Sequence, residues 1–266
     1  MWGSNIVEYA EYENLYDDIF EFAIITTPQT LITSDDSPPL RTTPEESHPD
    51  ENMIMQQMES KGSASHNAAP NTALIAINFT TLVAQNADTV GWLHVPETKI
   101  NYPVVQADDN STYLNRSFQG KNAVCGTLFM DFRNHQDDRN LIIYGHNMGN
   151  SSTLMFSPLL KYKKESYFLD NPSFAYVTSG ESGEYDIIAV CHVDIHTLET
   201  FNFLTQDFAT EESFASYVQS LQSFSLYPIT RDTCVSTKLI TLVTCDRSKY
   251  GEDGRLIVVG MLTQTF

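Results

Sequence analysis

The chain has 266 residues, a formal net charge of −19 and a pI near 4.5. That length suits one sizeable domain plus an extension, and the acidity excludes a nucleic-acid binder, which needs a basic patch. No apolar run reaches the length of about 18 residues that a membrane-spanning helix requires, so none is predicted.

Residues 1–70 hold 13 acidic and 2 basic side chains. Glu8 to Glu21 is acidic with interleaved aromatics, Thr26 to Pro49 is rich in Thr, Ser and Pro, and Gly62 to Pro70 is small and polar. Such segments bury too little apolar area to offset the entropy of ordering. Residues 1–70 are therefore predicted to be a poorly ordered extension, and 71–266 the folded domain.

Ala73 to Asn86 places Leu74, Ile75, Ile77, Phe79, Leu82 and Val83 on a helical stripe. Trp92 to Val95 opens the first strand, and Pro96 to Thr98 makes a turn. Tyr102 to Gln106 is the next strand, where Pro103 predicts an edge or a bulge. Val124 to Phe132 reads as a strand, and Asn134 to Asp138 as a solvated polar turn. Leu141 to Tyr144 is an apolar strand that delivers His146. Ser157 to Phe168 is predicted to hold a short helix. Ser173 to Val177 and Glu184 to Val193 form a strand pair.

Cys191, His192 and His196 invite a zinc reading, but neighbours on a strand point to opposite faces. The long connection from Asp194 to Thr237 contains a predicted helix, Glu211 to Phe224, with Phe214, Tyr217, Val218 and Leu221 on one side. Lys238 to Thr244 and Leu256 to Val259 are β-branched, apolar strands, joined by the polar loop Asp246 to Gly254. Seven or eight short strands with few helices predict an antiparallel, barrel-like, mainly β fold.

Four cysteines stand at 125, 191, 234 and 245, with no C-x-x-C pair, so a redox dithiol or a zinc ribbon is not predicted. Cys245 ends one strand and Arg255 begins the next. Antiparallel pairing would bring thiol and guanidinium together at one rim, a setting in which cysteine acts as a nucleophile. His146 follows an apolar strand and a glycine, and is the candidate acid–base group.

Thr241-Leu-Val-Thr-Cys245 resembles the TLxTC signature of the sortases, cysteine transpeptidases of Gram-positive bacteria. Tyr144-Gly-His146-Asn-Met resembles their histidine segment, and Gly254-Arg255 their arginine. The ten-residue step from Cys245 to Arg255 is similar to class B in particular. So are Val90-Gly-Trp92-Leu and Ile100 through Asn110. The likeness covers about Ala73 to Phe266.

This resemblance implies a closed antiparallel barrel of about eight strands, with an N-terminal helix and a helix in the long connection before the Cys strand. That connection would wall the substrate groove. It implies cleavage of an NPQT-like sorting signal after its Thr, through a thioester, and transfer to a cell-wall or pilin amine. Cys245, His146 and Arg255 would be catalytic, with Arg255 either donating to the oxyanion or positioning substrate. Tyr144, Asn147 and Thr244 would contact substrate. Asp246 would orient His146 or cap its own loop. No metal or organic cofactor is implied.

The expected partners are surface proteins bearing sorting signals and a peptidoglycan or pilin amine. The expected location is the outer face of the cell membrane, through an anchor not visible in this chain. A thiol peptidase would use the same residues with water as acceptor, and a sortase-like binding domain would do no chemistry. Thr27-Pro-Gln-Thr30 resembles part of a class B sorting signal, but chance explains it in a Pro/Thr-rich segment.

Overall fold

The computed structural model describes residues 14–16, 18–19, 77–149, 151–229 and 238–266. The chain divides into two units: Met1–Ile25 with Ala76–Phe266, and Thr26–Ile75. All described residues belong to the first. Most of the predicted extension, including Thr27–Thr30, lies outside the described residues. Within it, residues 14–16 and 18–19 are helical, and Tyr16 and Ile19 are buried. Tyr16 packs edge-on against Tyr102 and donates its hydroxyl to the Gly126 carbonyl at 2.9 Å.

Eight strands close a barrel: β1 (Thr89–His94), β2 (Asn101–Val105), β3 (Leu128–Met130), β4 (Asn140–Tyr144), β5 (Ser173–Val177), β6 (Ser182–Asp194), β7 (Leu239–Cys245) and β8 (Gly254–Thr265). Their order around the barrel is β1-β2-β3-β4-β7-β8-β6-β5. The expectation of a closed barrel of about eight strands holds, with one refinement. The barrel is mixed: β2 pairs with β3, and β4 with β7, in parallel. Both parallel neighbours are joined by long connections, as parallel pairing requires, whereas the tight β5–β6 hairpin is antiparallel.

Local chemistry explains where elements begin and end. α1 (Phe79–Gln85) starts at Asn78, whose side chain accepts from Thr81 N. Pro103 is tolerated inside a closed barrel because β3 pairs only from Val104 onward, so its missing N–H faces no partner strand there. The predicted strand from Val124 shrinks to Leu128–Met130. Gly126 takes φ +61°, and a Cβ there would meet the Tyr113 carbonyl at 2.4 Å, so this backbone turns rather than extends. The predicted helix after Ser157 is a 3₁₀ segment, Ser157–Lys163, followed by α2 (Glu165–Asp170).

α3 (Glu211–Ser223) carries a capping box between Thr210 and Ser213. Its apolar face, Phe214, Tyr217, Val218 and Leu221, packs with Cys191, Val193, Ile257 and Val259 of β6 and β8. These strands are thus covered on both faces. That explains why β8 reads as a nearly continuous apolar run instead of alternating. Among the described residues, no helix is long and apolar enough to cross a membrane.

Candidate active site

β4 and β7 lie side by side and end at the same rim, with Tyr144 opposite Val243. Beyond that register the chains are stapled together. Gly145 N donates to the Val243 carbonyl at 3.2 Å. Thr244 Oγ1 donates to the Gly145 carbonyl at 2.7 Å, and Asn147 Nδ2 to the Cys245 carbonyl at 2.8 Å. The segment carrying His146 is therefore locked to the segment carrying Cys245. Gly145 leaves little room for a side chain: a Cβ would sit 2.5 Å from Leu128 Cδ2 and 2.7 Å from the Phe156 ring, so those groups would have to shift.

On the other side of β7, Cys245 is the register partner of Arg255 on β8. Arg255 Nη1 donates to the carbonyls of Glu252 and Gly254, both at 2.8 Å. These bonds brace the guanidinium at the mouth of the β7–β8 loop. His146 Nε2 lies 2.7 Å from the Leu114 carbonyl, in the connection between β2 and β3. A carbonyl only accepts, so Nε2 is the donor in this contact and Nδ1 is the ring nitrogen left to exchange a proton.

Cys245, His146 and Arg255 line one cleft of about 320 Å³, together with Asn110, Leu114, Phe129, Tyr144, Gly145, Val243 and Thr244. Cys245 is a free, half-buried thiol. Of the predicted site residues, Tyr144 and Thr244 line this cleft. Asn147 does not; its side-chain amide is engaged with Cys245 O and Gly149 N. Asn110, Leu114 and Phe129 were not predicted as site residues. Asn110 stood in a segment already singled out, but Leu114 acts through its main-chain carbonyl, which no side-chain pattern reveals.

Asp246 resolves as a loop cap. Its carboxylate accepts from Ser248 N at 3.1 Å and Lys163 Nζ at 2.6 Å, and lies 3.4 Å from His192 Nε2. Burial pushes its pKa up, but the bonds from Lys163 and Ser248 outweigh that and hold it below the usual carboxylate range. It begins α4 (Arg247–Tyr250), a short helix inside the loop that the sequence left irregular. Cys191 and His192 do point apart. Cys191 is buried against the Leu221 carbonyl, and its thiol is pushed up to about 12 by burial, whereas His192 faces Asp246 and Tyr250. A second cavity, of about 290 Å³, lies at the other end of β4 and β7 and has no thiol or imidazole in its lining.

A closed barrel with a thiol, an imidazole and a guanidinium in one cleft is the framework of a thiol-based acyl-transfer enzyme. Comparison with known proteins agrees. The Sortase domain family matches residues 93–263. Sortase B of Listeria monocytogenes is 35% identical over 179 residues, 66% of this chain and 70% of that protein. The structure of Clostridium perfringens sortase B superposes with a TM-score of 0.64 at 27% identity, covering 70% of this chain and all of that one. A Staphylococcus aureus sortase B–substrate complex gives 0.62 at 26% identity, covering 70% and 84%. The chain belongs to the sortase family, and within it to class B, the cysteine transpeptidases of the bacterial cell envelope.

Proposed function

We propose that Cys245 is the nucleophile, His146 the acid–base group and Arg255 the oxyanion donor of a transpeptidase that cuts an NPQT-like sorting signal after its Thr. The observation that carries this reading is the common rim. Parallel β4 and β7 deliver His146 and Cys245 to one cleft, and antiparallel pairing sets Arg255 opposite Cys245.

The Cys245 thiol passes its proton to His146 Nδ1, and the resulting thiolate attacks the Thr carbonyl carbon as the carbonyl electrons move to oxygen. Arg255 Nη1 is held by backbone carbonyls, so the guanidinium can aim its other N–H groups at that oxyanion without reorganising. The tetrahedral intermediate collapses to a thioester, and the leaving amine takes a proton from His146 Nδ1. An incoming amine then attacks the thioester, gives its proton back to His146 and expels the Cys245 thiolate. Tyr144 and Thr244 contact the peptide, and Asn147 fixes the backbone of Cys245. The acceptor is a cell-wall or pilin amine. The catalytic domain spans 71–266, and the site of action is the outer face of the membrane.

Mass spectrometry of an NPQT-type peptide incubated with the protein, with and without triglycine, tests this. A peptide–amine adduct that vanishes in Cys245→Ala is the expected result. Cleavage by water alone, with triglycine present, would instead mark a thiol peptidase.

A further inference from the structure

Asp131 directly follows β3, and its side chain is fully shielded from solvent. Its carboxylate joins side chains from separate segments. Tyr144 Oη donates to Oδ2 at 2.9 Å, and Asn110 Nδ2 donates to the same oxygen at 3.1 Å. Arg133 donates Nε to Oδ1 at 2.9 Å and Nη2 to Oδ2 at 2.8 Å. Gln206, from the β6–β7 connection, reaches Oδ1 at 3.3 Å. Gln106 Nε2 holds the Asp131 carbonyl at 2.8 Å. Tyr144 and Asn110 both line the cleft that holds Cys245.

An ionised carboxylate only accepts. The single hydroxyl proton of Tyr144 is therefore committed to Asp131, and its oxygen has only lone pairs left to offer. Asn110 is fixed at both ends, since its Oδ1 also accepts from Phe132 N at 2.9 Å. We propose that Asp131 is a positioning residue that sets the hydrogen-bond polarity of the cleft wall. With its charge in place, Tyr144 presents an acceptor, and the bound peptide must meet it with an N–H donor from an amide. This inference rests on the reading of the cleft as a peptide site. The carboxyl suits the role at neutral pH. Burial raises its pKa, but the bonds from Arg133 and Tyr144 bring it down to about 2.

The test is calorimetric binding of an NPQT-type peptide to the Cys245→Ala protein, with and without Asp131→Asn, which keeps the shape and removes the charge. The affinity is expected to fall about tenfold, the scale of one hydrogen bond. Tyr144→Phe should weaken binding similarly, and the double variant no further, since both changes remove one interaction. With Cys245 restored, Asp131→Asn should raise KM by the same factor. Its kcat should fall less than threefold, and alkylation of Cys245 by iodoacetamide should keep its rate.

Equal affinity with and without the charge overturns the inference, as do losses that multiply in the double variant. A fall in kcat and alkylation in step with affinity also overturns it, because that is general loosening. Should Asp131→Asn not fold, Tyr144→Phe decides. Its loss must disappear for a peptide N-methylated at the responsible amide, and a loss that persists for every methylated peptide overturns the inference. A Cys245→Ala protein that binds no sorting-type peptide overturns the peptide reading itself, and the inference with it.

Discussion

Asn147 and Cys245 are 98 residues apart in the chain, yet the side-chain amide of Asn147 donates to the main-chain carbonyl of Cys245 at 2.8 Å. Because Asn147 adjoins His146, this bond fixes the spacing between the imidazole and the thiol. Asn147→Ala should slow transpeptidation about tenfold, since small misplacements of reacting groups carry large rate penalties. The pH–rate profile should keep its shape, because neither titrating group is removed. An activity equal to the parent would show that the bond does not set the site.

His146→Ala and Arg255→Ala should each reduce the rate at least about a hundredfold, the scale for loss of an acid–base group or an oxyanion donor. Both side chains are only half-buried, so thermal unfolding should stay close to the parent. For Arg255, the fall should appear in kcat. A rise in KM alone would assign it to peptide positioning instead.

Gly145→Ala tests the packing at the rim. The added methyl would press on Leu128 and Phe156, and the flanking Tyr144 and His146 would move to relieve it. Overpacking of this kind costs about 1–3 kcal/mol. Activity should fall further than stability, because Tyr144 and His146 both line the cleft. The check is a urea titration beside a peptide-cleavage assay.

Lys163→Met removes the shortest contact of a carboxylate that is nearly fully buried. Asp246 would keep Ser248 and His192, so the loss should be on the order of 1–2 kcal/mol, less than for an isolated buried ion. The β7–β8 loop, which begins at Asp246, should exchange its amide hydrogens faster. Unchanged exchange in residues 246–254 would show that Lys163 does not anchor the loop.

Acid should destabilise the protein in a defined window. Asp131 and Asp246 both have depressed folded-state pKa values, with Asp131 at about 2. Stability from such groups is fully present above the unfolded carboxylate value, about 4, and is lost as pH falls through the folded value. The melting temperature should therefore drop between about pH 4 and pH 2. Asp131→Asn should flatten that slope while lowering the plateau above it. A slope unchanged by this substitution would assign the acid sensitivity to other carboxylates.

Much of this was legible in the chain because the residues proposed to react sit at strand ends. An apolar strand followed by Gly145 and His146, and another followed by Cys245, carry their own punctuation. The short loop to Arg255 made register pairing with Cys245 a natural expectation. The parallel pairing of β4 with β7 was not legible, because it joins segments far apart in the chain and apolar runs do not encode direction. Gly126 delays the start of a predicted strand through a left-handed backbone that its neighbours do not announce. Leu114 and Asn147 serve main-chain partnerships, and Asp131 works from beneath two other residues. Such roles depend on who the neighbours are, and that is decided only when the barrel closes.

The parallel seating of β7 beside β4 also dictates when the thiol becomes dangerous. During folding, contacts this distant in sequence form late, since a long loop must close before they reward the chain. Until β7 is inserted beside β4, Cys245 lacks the imidazole proposed to act with it in acyl transfer. The barrel thus acts as an assembly interlock. On the proposed mechanism, a partly folded chain carries both thiol and imidazole but does not yet hold them together.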